Sequence, residues 1–378
     1  MDVYTLSIIA FFIILGILIY KDRKNIEFKY ILLMRRTKKF RKFIDKMAQK
    51  SPLFWKIVST IGIIVCFYYM LQGLYLLSVL SYNISVGVIK EPALQFILPT
   101  PSATGSTGPG YILIPFWFWI ITIFCILVPH ELSHGIIARA EKIKLKSVGL
   151  LLLAIFPGAF VEPQEKQIKK AKTLTKLRIF SAGSFANFLV SFVVFLLTLY
   201  VIWPMAVSPG IQLISVNSSS PAEIAGLKGG MILTEINGIP ITTSYNEYLA
   251  GRGYFYEEIG YVQPNETITV KSNGNNYNIA LAFDEETNTT YMGITYSPVF
   301  KVNTAFFIGI LIPLLTMISL FSLAVGIINI LPIYPLDGGL IIQALTDRFF
   351  KKRSKAIVKA ITYVILLILI YDFVGPFL

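Results

Sequence analysis

His130 and His134 are the only two histidines among 378 residues, and they stand in the pentapeptide His130-Glu131-Leu-Ser-His134. On a helix, residues four apart share a face, so their imidazole nitrogens converge. Such a pair can hold one zinc ion, and Glu131, next to the first ligand, is placed to act as base toward a water at the metal. The pentapeptide lies in the apolar run from Ile112 to Ala138. Ionisable groups in a membrane-length segment are costly without a role, so a proton relay or ion pathway is a second functional reading. A buried structural histidine pair is the bland one. The H-E-x-x-H spacing favours metal over both.

Two histidines do not close a catalytic zinc site, which takes a third protein ligand and keeps a position open. Downstream of residue 300 the acidic residues are Asp337, Asp347 and Asp372. Asp337 stands in Asn329-Ile-Leu-Pro-Ile-Tyr-Pro-Leu-Asp-Gly-Gly339. Pro332 and Pro335 unwind a helix there, and the two glycines let backbone approach closely. A carboxylate on unwound backbone in an apolar stretch is hard to explain structurally, so Asp337 is the expected third ligand. Asp347 reads as a solvated partner of Arg348, and Asp372 lies near the end of a final apolar run.

Elements that must carry these residues are legible from hydropathy. The chain is 55% hydrophobic and 15% charged, which excludes an ordinary soluble domain and points to several membrane spans. Six are expected, at Val3–Tyr20, Leu53–Leu80, 112–138, Ile179–Trp203, Val302–Leu331 and a last one containing Ile361–Phe373. The first reads as a retained span rather than a cleaved signal peptide. Cys66 and Cys125 both lie in apolar runs, so neither a disulfide framework nor a cysteine metal site is expected. Residues 148–161 are apolar but too short to cross as a helix, and their Gly and Pro suggest a short re-entrant β-hairpin. Residues 81–111 read as a loop.

The net charge of +13 is segregated. Lys21 to Lys50 holds twelve Lys/Arg against Asp22, Glu27 and Asp45, and further basic clusters fall in 139–178 and 348–359. Beside spans, such runs mark cytoplasmic loops near anionic lipid rather than nucleic-acid sites. Alternating the spans puts all three clusters in the cytoplasm. The N-terminus, the 81–111 loop and residues 208–300 then lie outside, and His130 sits about 9 residues, or about 14 Å of helix, from the cytoplasmic end of its span. Sequons at Asn83, Asn217, Asn265 and Asn288 all fall on the expected outer segments. Residues 208–300 carry nine Asp/Glu against three Lys/Arg and no membrane-length run, marking a soluble insert. Ile211–Val216 and Met231–Ile236 read as strands, Pro221–Gly226 as a short helix and Asn237-Gly238 as a turn.

These residues resemble the site-2 protease family, intramembrane zinc metalloproteases of the peptidase M50 type. The resemblance rests on His130-Glu-Leu-Ser-His134-Gly135, on Asn329-x-x-Pro332-x-x-Pro335-Leu-Asp337-Gly338, and on Ala182-Gly183-Ser-Phe-Ala186-Asn187-Phe188 between them. Members often have Pro where this chain has Ser184. Ser220-Pro-Ala-Glu-Ile-Ala-Gly226 through Asn237-Gly238 is similar to a protease-type PDZ signature, with Gly230 where Asp is usual.

The resemblance implies a polytopic all-α membrane core with an inserted α+β PDZ-like domain. It divides the chain into N-terminal spans and loops (1–111), a first catalytic segment (112–207), the insert (208–300), a second catalytic segment (301–349) and a C-terminal span (350–378). It implies one Zn²⁺ held by His130, His134 and Asp337, Glu131 as general base, and Asn329 as a donor to substrate backbone or oxyanion. The expected partners are the lipid bilayer, a single-span membrane-protein substrate and a peptide or substrate tail at the PDZ-like domain. For Asp337 to reach the histidines, the third and fifth spans are expected to pack together. Two other readings remain open at this level. One is a membrane zinc protease of the prenyl-protein or quality-control type, with Glu162 or Glu165 as third ligand. The other is a non-catalytic scaffold or transporter.

Overall fold

The structure, a computed structural model, describes residues 2–92, 94–153, 155–202, 210–241, 266–284, 289–299 and 306–377. Among the described residues, six helices are long and apolar enough to cross a membrane. They are α1 (Val3–Asp22), α3 (Pro52–Ser85), α4 (Phe116–Ala140), α6 (Thr173–Leu197, prolonged by a π turn to Ile202), α8 (Ile312–Ile330) and α10 (Ser354–Val374). Shorter helices are α2 (Lys38–Lys50), α5 (Glu165–Lys170), α7 (Pro221–Ile224) and α9 (Asp337–Phe349). The chain divides into two compact units, residues 1–194 with 317–378, and residues 195–316.

The first unit departs from the sequence expectation at its cytoplasm-assigned loops. The basic stretch after α1 is ordered secondary structure: β1 (Ile26–Lys29), β2 (Leu32–Arg36) and the amphipathic helix α2. Lysines and arginines had masked the apolar residues set among them. Ile44 and Ala48 are fully buried, while the lysines of α2 face outward. β1 and β2 extend the expected hairpin, β6 (Leu145–Leu153) with β7 (Phe156–Pro163), into one antiparallel sheet ordered β1-β2-β6-β7. Leu32 pairs with Leu153 and Arg36 with Gly149. β7 is an edge strand.

Two further boundaries move. The 81–111 region contains a three-stranded sheet, β3 (Phe96–Thr100) and β4 (Ser106–Gly108) flanking β5 (Tyr111–Pro115). β5 takes the first residues expected for the third span, because the rigid φ of Pro115 sets the helix start at Phe116. Asp347 accepts from Ser354 Oγ at 2.6 Å rather than pairing with Arg348.

Polar bonds tie the spans together around the cytoplasm-assigned ends. Arg178 Nη1 lies 2.7 Å from Glu141 Oε1, which joins α6 to the end of α4. Thr175 donates to the other Glu141 oxygen, and Arg178 Nε donates to Thr60 of α3. Arg139 of α4 pairs with Asp45 of α2. At the other end, Ser81 of α3 donates to Asp372 of α10.

The second unit is an α+β insert. Its sheet runs β12 (Asn275–Ala280), β11 (Thr267–Ser272), β9 (Ile232–Ile236), β8 (Ile211–Val216) and β15 (Ile294–Pro298), with β10 (Ile239–Pro240) on β9 and a separate β13 (Ala282–Asp284)–β14 (Thr289–Tyr291) pair. Ile211, Leu213, Leu233, Ile236, Ile268, Val270 and Ile279 form its core. Asn237 and Gly238 turn the β9–β10 hairpin at φ 50° and 80°. Gly230 has φ +90°, a left-handed backbone that favours glycine over aspartate. Residues 242–265 and the sequons at Asn265 and Asn288 lie outside the described residues.

Candidate metal centre

Near its C-terminal end, α4 brings His130, Glu131 and His134 into the first unit. Buried Gly135 follows, and a side chain there would meet Ile44 of α2 and Val161 of β7 at 3.0 Å. Glycine thus lets α2 and the sheet close on the helix beside the histidines. Asp337 is the first residue of α9, where the free N–H groups favour a carboxylate. The sharp turn from α8 into α9 depends on two glycines. A Cβ on Gly338 would strike the Ile330 and Leu331 carbonyls, and one on Gly339 would sit 2.5 Å from Ile333. Asp337 therefore arrives from the start of α9 and not from a span. The fifth span packs on α6, where a side chain on Gly326 would meet Phe188 at 2.6 Å and Asn187 at 3.3 Å.

His130 Nε2 and His134 Nε2 are 3.2 Å apart. Asp337 Oδ1 is 3.3 Å from His134 Nε2, and Oδ2 is 3.6 Å from His130 Nε2. Tetrahedral zinc with bonds of about 2.0–2.1 Å has ligand–ligand edges of roughly 3.3–3.4 Å. The two imidazole nitrogens stand close to that edge length, and the Asp337 carboxylate lies across both, with one oxygen nearest each ring. Among the described residues, this is the group of His, Cys, Asp or Glu side chains able to share a metal ion. Glu162 is engaged by Lys146 at 2.5 Å and Ser147 at 2.6 Å, and these bonds hold its carboxyl below the usual range. Glu165 pairs with Lys169. Neither joins the metal group.

Behind the ligands stands α6. The Ile179 carbonyl accepts from His134 Nδ1 at 2.7 Å, which leaves Nε2 free for a metal. Ser184 donates to Asp337 Oδ2 through its hydroxyl at 2.9 Å and its backbone N–H at 3.3 Å. Proline at that position could supply neither donor. The Asn187 amide faces His130 Nδ1 at 3.2 Å. Gly183 makes room for the rings: a Cβ there would lie 2.5 Å from His130 Nε2 and against His134 Nε2. Glu131 is fixed separately, as Val161 N–H of β7 donates to its Oε2 at 3.0 Å.

Sequence reasoning did not give Ile179, Gly183, Ser184, Asn187 or Val161 a role. The spacing of Ile179, Gly183 and Asn187 at four-residue intervals was the available signal for a common face. Asn329, next to last in α8, is half-buried, and its side-chain amide has no hydrogen-bond partner among the described residues.

The chain matches Peptidase family M50 over residues 118–371, more than half its length. An uncharacterized protein of Methanocaldococcus jannaschii is 28% identical over 352 residues, covering 92% of this chain and 87% of that protein. The membrane-bound transcription factor site-2 protease homolog of Arabidopsis thaliana is 27% identical over 194 residues, covering 44% of this chain. The matched stretch spans 35% of the Arabidopsis protein. Among solved structures, the PDZ domain of an SdrC-like protein from Listeria monocytogenes is similar, at 24% identity and TM-score 0.19, covering 23% of this chain and 87% of that domain.

Proposed function

The chain belongs to peptidase family M50, and on that premise we propose that it is a zinc endopeptidase cutting a peptide bond within or beside a transmembrane segment of a membrane-protein substrate. Family and spans make it a multi-pass membrane metalloprotease of the site-2 type. The observation that carries the finer reading is the His130–His134–Asp337 triangle with Glu131 alongside. Zinc bound there supplies Lewis acidity, bringing the pKa of water toward neutrality and polarising a carbonyl.

The residues divide the remaining work. His130, His134 and Asp337 hold the ion. Val161 N–H occupies Glu131 Oε2, leaving Oε1 to take the proton of the attacking water and deliver it to the leaving amine. Asn329, half-buried near the end of α8, is assigned as a donor to the substrate backbone or oxyanion.

An intact substrate helix hides its carbonyls in internal hydrogen bonds, so it must be opened before cutting. β7 suits the opened segment. It is the edge of its sheet, and its Val161 N–H holds the base, so a peptide added as a further strand would run past Glu131. An apolar groove of about 670 Å³, lined by Phe11 and Leu15 of α1, Ile123 and Leu127 of α4, and Leu151 and Pro157 of the hairpin, would receive an apolar substrate segment. The basic clusters support a cytoplasmic assignment for the loops at 21–50, 139–178 and 348–359, with the insert outside.

The test compares membrane-protein fragments from cells carrying the native chain or Glu131→Gln. Native cells should accumulate a defined fragment that the variant lacks, with zinc content equal in both. Cleavage by Glu131→Gln at the native rate would refute the mechanism.

A further inference from the structure

We infer that Asn187 locks His130 into its metal-binding form, its side-chain Oδ1 accepting the Nδ1–H of that imidazole; the inference rests on the zinc reading above. A neutral imidazole that offers Nε2 to a metal carries its hydrogen on Nδ1. That N–H needs an acceptor, and His130 is buried away from water. His134 shows how the fold meets the same demand, through the Ile179 carbonyl at 2.7 Å.

At His130 the group facing Nδ1 is the Asn187 amide, at 3.2 Å through Nδ2. Asn187 is fully buried, and its Oδ1 is without a hydrogen-bond partner among the described residues. A half-turn about the Cβ–Cγ bond exchanges the amide oxygen and nitrogen. That one rotation gives the ring N–H an acceptor and the orphaned oxygen a donor. The Gly183 backbone also comes within hydrogen-bonding reach of the His130 ring, and Asn187 adds a side-chain acceptor at Nδ1.

The placement along α6 supports the assignment. Ile179, Gly183 and Asn187 recur every four residues and share one face. The middle position has no side chain, so both rings seat against the helix. The positions one turn before and one turn after then each meet one Nδ1. Ser184, beside the gap, steadies the third donor, Asp337. One helix thereby orients all three metal-site side chains, and Asn187 is its positioning residue for His130.

Asn187 also packs against α8, since a side chain on Gly326 would meet its Cβ. The test must therefore separate hydrogen bonding from packing. Asn187→Leu keeps most of the volume and removes the acceptor. Asn187→Asp keeps both shape and acceptor. Full-length protein in lipid nanodiscs is stripped with a chelator and titrated with zinc against a competing chelator dye, and the visible spectrum is recorded with cobalt(II) in place of zinc.

Asn187→Leu should bind zinc 10–100-fold more weakly, the range for losing a partner of a metal-bound histidine, and should alter the cobalt bands. Asn187→Asp should stay within a few-fold of native. If Asn187→Leu fails to fold, Asn187→Ala is measured in its place. Native affinity in the Leu or Ala variant overturns the inference, as does an Asp variant that folds but loses zinc as severely. Absence of zinc binding in the native protein would sink the zinc reading itself, and this inference with it.

Discussion

Replacing Gly183 by alanine should empty the metal site while leaving the helix bundle intact. An alanine Cβ would sit 2.5 Å from His130 Nε2 and crowd His134 Nε2, whereas real Cβ contacts stay beyond 3.0 Å. The ring must therefore retreat by about 0.5 Å or more, the difference between those two distances. Metal–ligand bonds hold to about ±0.2 Å, so a ligand displaced by more than twice that cannot keep its bond. Both histidines are affected, so zinc affinity should fall on the order of 100-fold, about 2.8 kcal/mol at 1.4 kcal/mol per tenfold. Stability should respond differently. The struck atoms are ring tips that can swing aside, and alanine in a helix interior is worth roughly 1 kcal/mol over glycine. The assay pairs zinc titration with thermal unfolding of chelator-treated protein. Gly183→Ala with native zinc affinity would refute the geometry. A large drop in unfolding temperature without metal would show that the glycine serves backbone packing instead.

Asp337→Ala should abolish near-stoichiometric zinc as measured by metal analysis of purified protein, and unchanged zinc content would remove Asp337 from the ligand set. Arg178→Ala strands the Glu141 carboxylate in a largely buried site and should cost about 3–5 kcal/mol of stability, read by thermal or denaturant unfolding; Thr175, which donates only to the other carboxylate oxygen, cannot replace the lost charge. For sidedness, a cysteine at exposed Lys228 of the insert should react with an impermeant maleimide in intact cells, and one at exposed Lys351 only after lysis. The reverse pattern would invert the proposed orientation.

Six apolar runs, the soluble insert and the two metal motifs were legible in the sequence because each signal is local. Hydropathy over about 20 residues marks a span whatever surrounds it, and the His130–His134 spacing follows from the pitch of a single helix. The β1–β2 hairpin was not legible. Its short apolar runs are embedded in a stretch rich in lysine and arginine, and its pairing with Leu145–Leu153 joins strands more than a hundred positions apart. For the same reason the hairpin at 148–161 could be expected while the four-stranded sheet could not.

The sequence by itself determined which side chains could hold and serve a metal: two histidines, a neighbouring glutamate, and an aspartate on backbone broken by prolines. Tertiary structure alone decided what stands behind them. The Ile179 carbonyl, the Val161 N–H, the Ser184 donors and the gap at Gly183 belong to residue types that bear no mark of metal chemistry. Their roles come from the rotation of α6 about its own axis and the approach of β7 to α4. Those are set by how whole helical faces and a sheet edge pack, and no window along the chain contains that information.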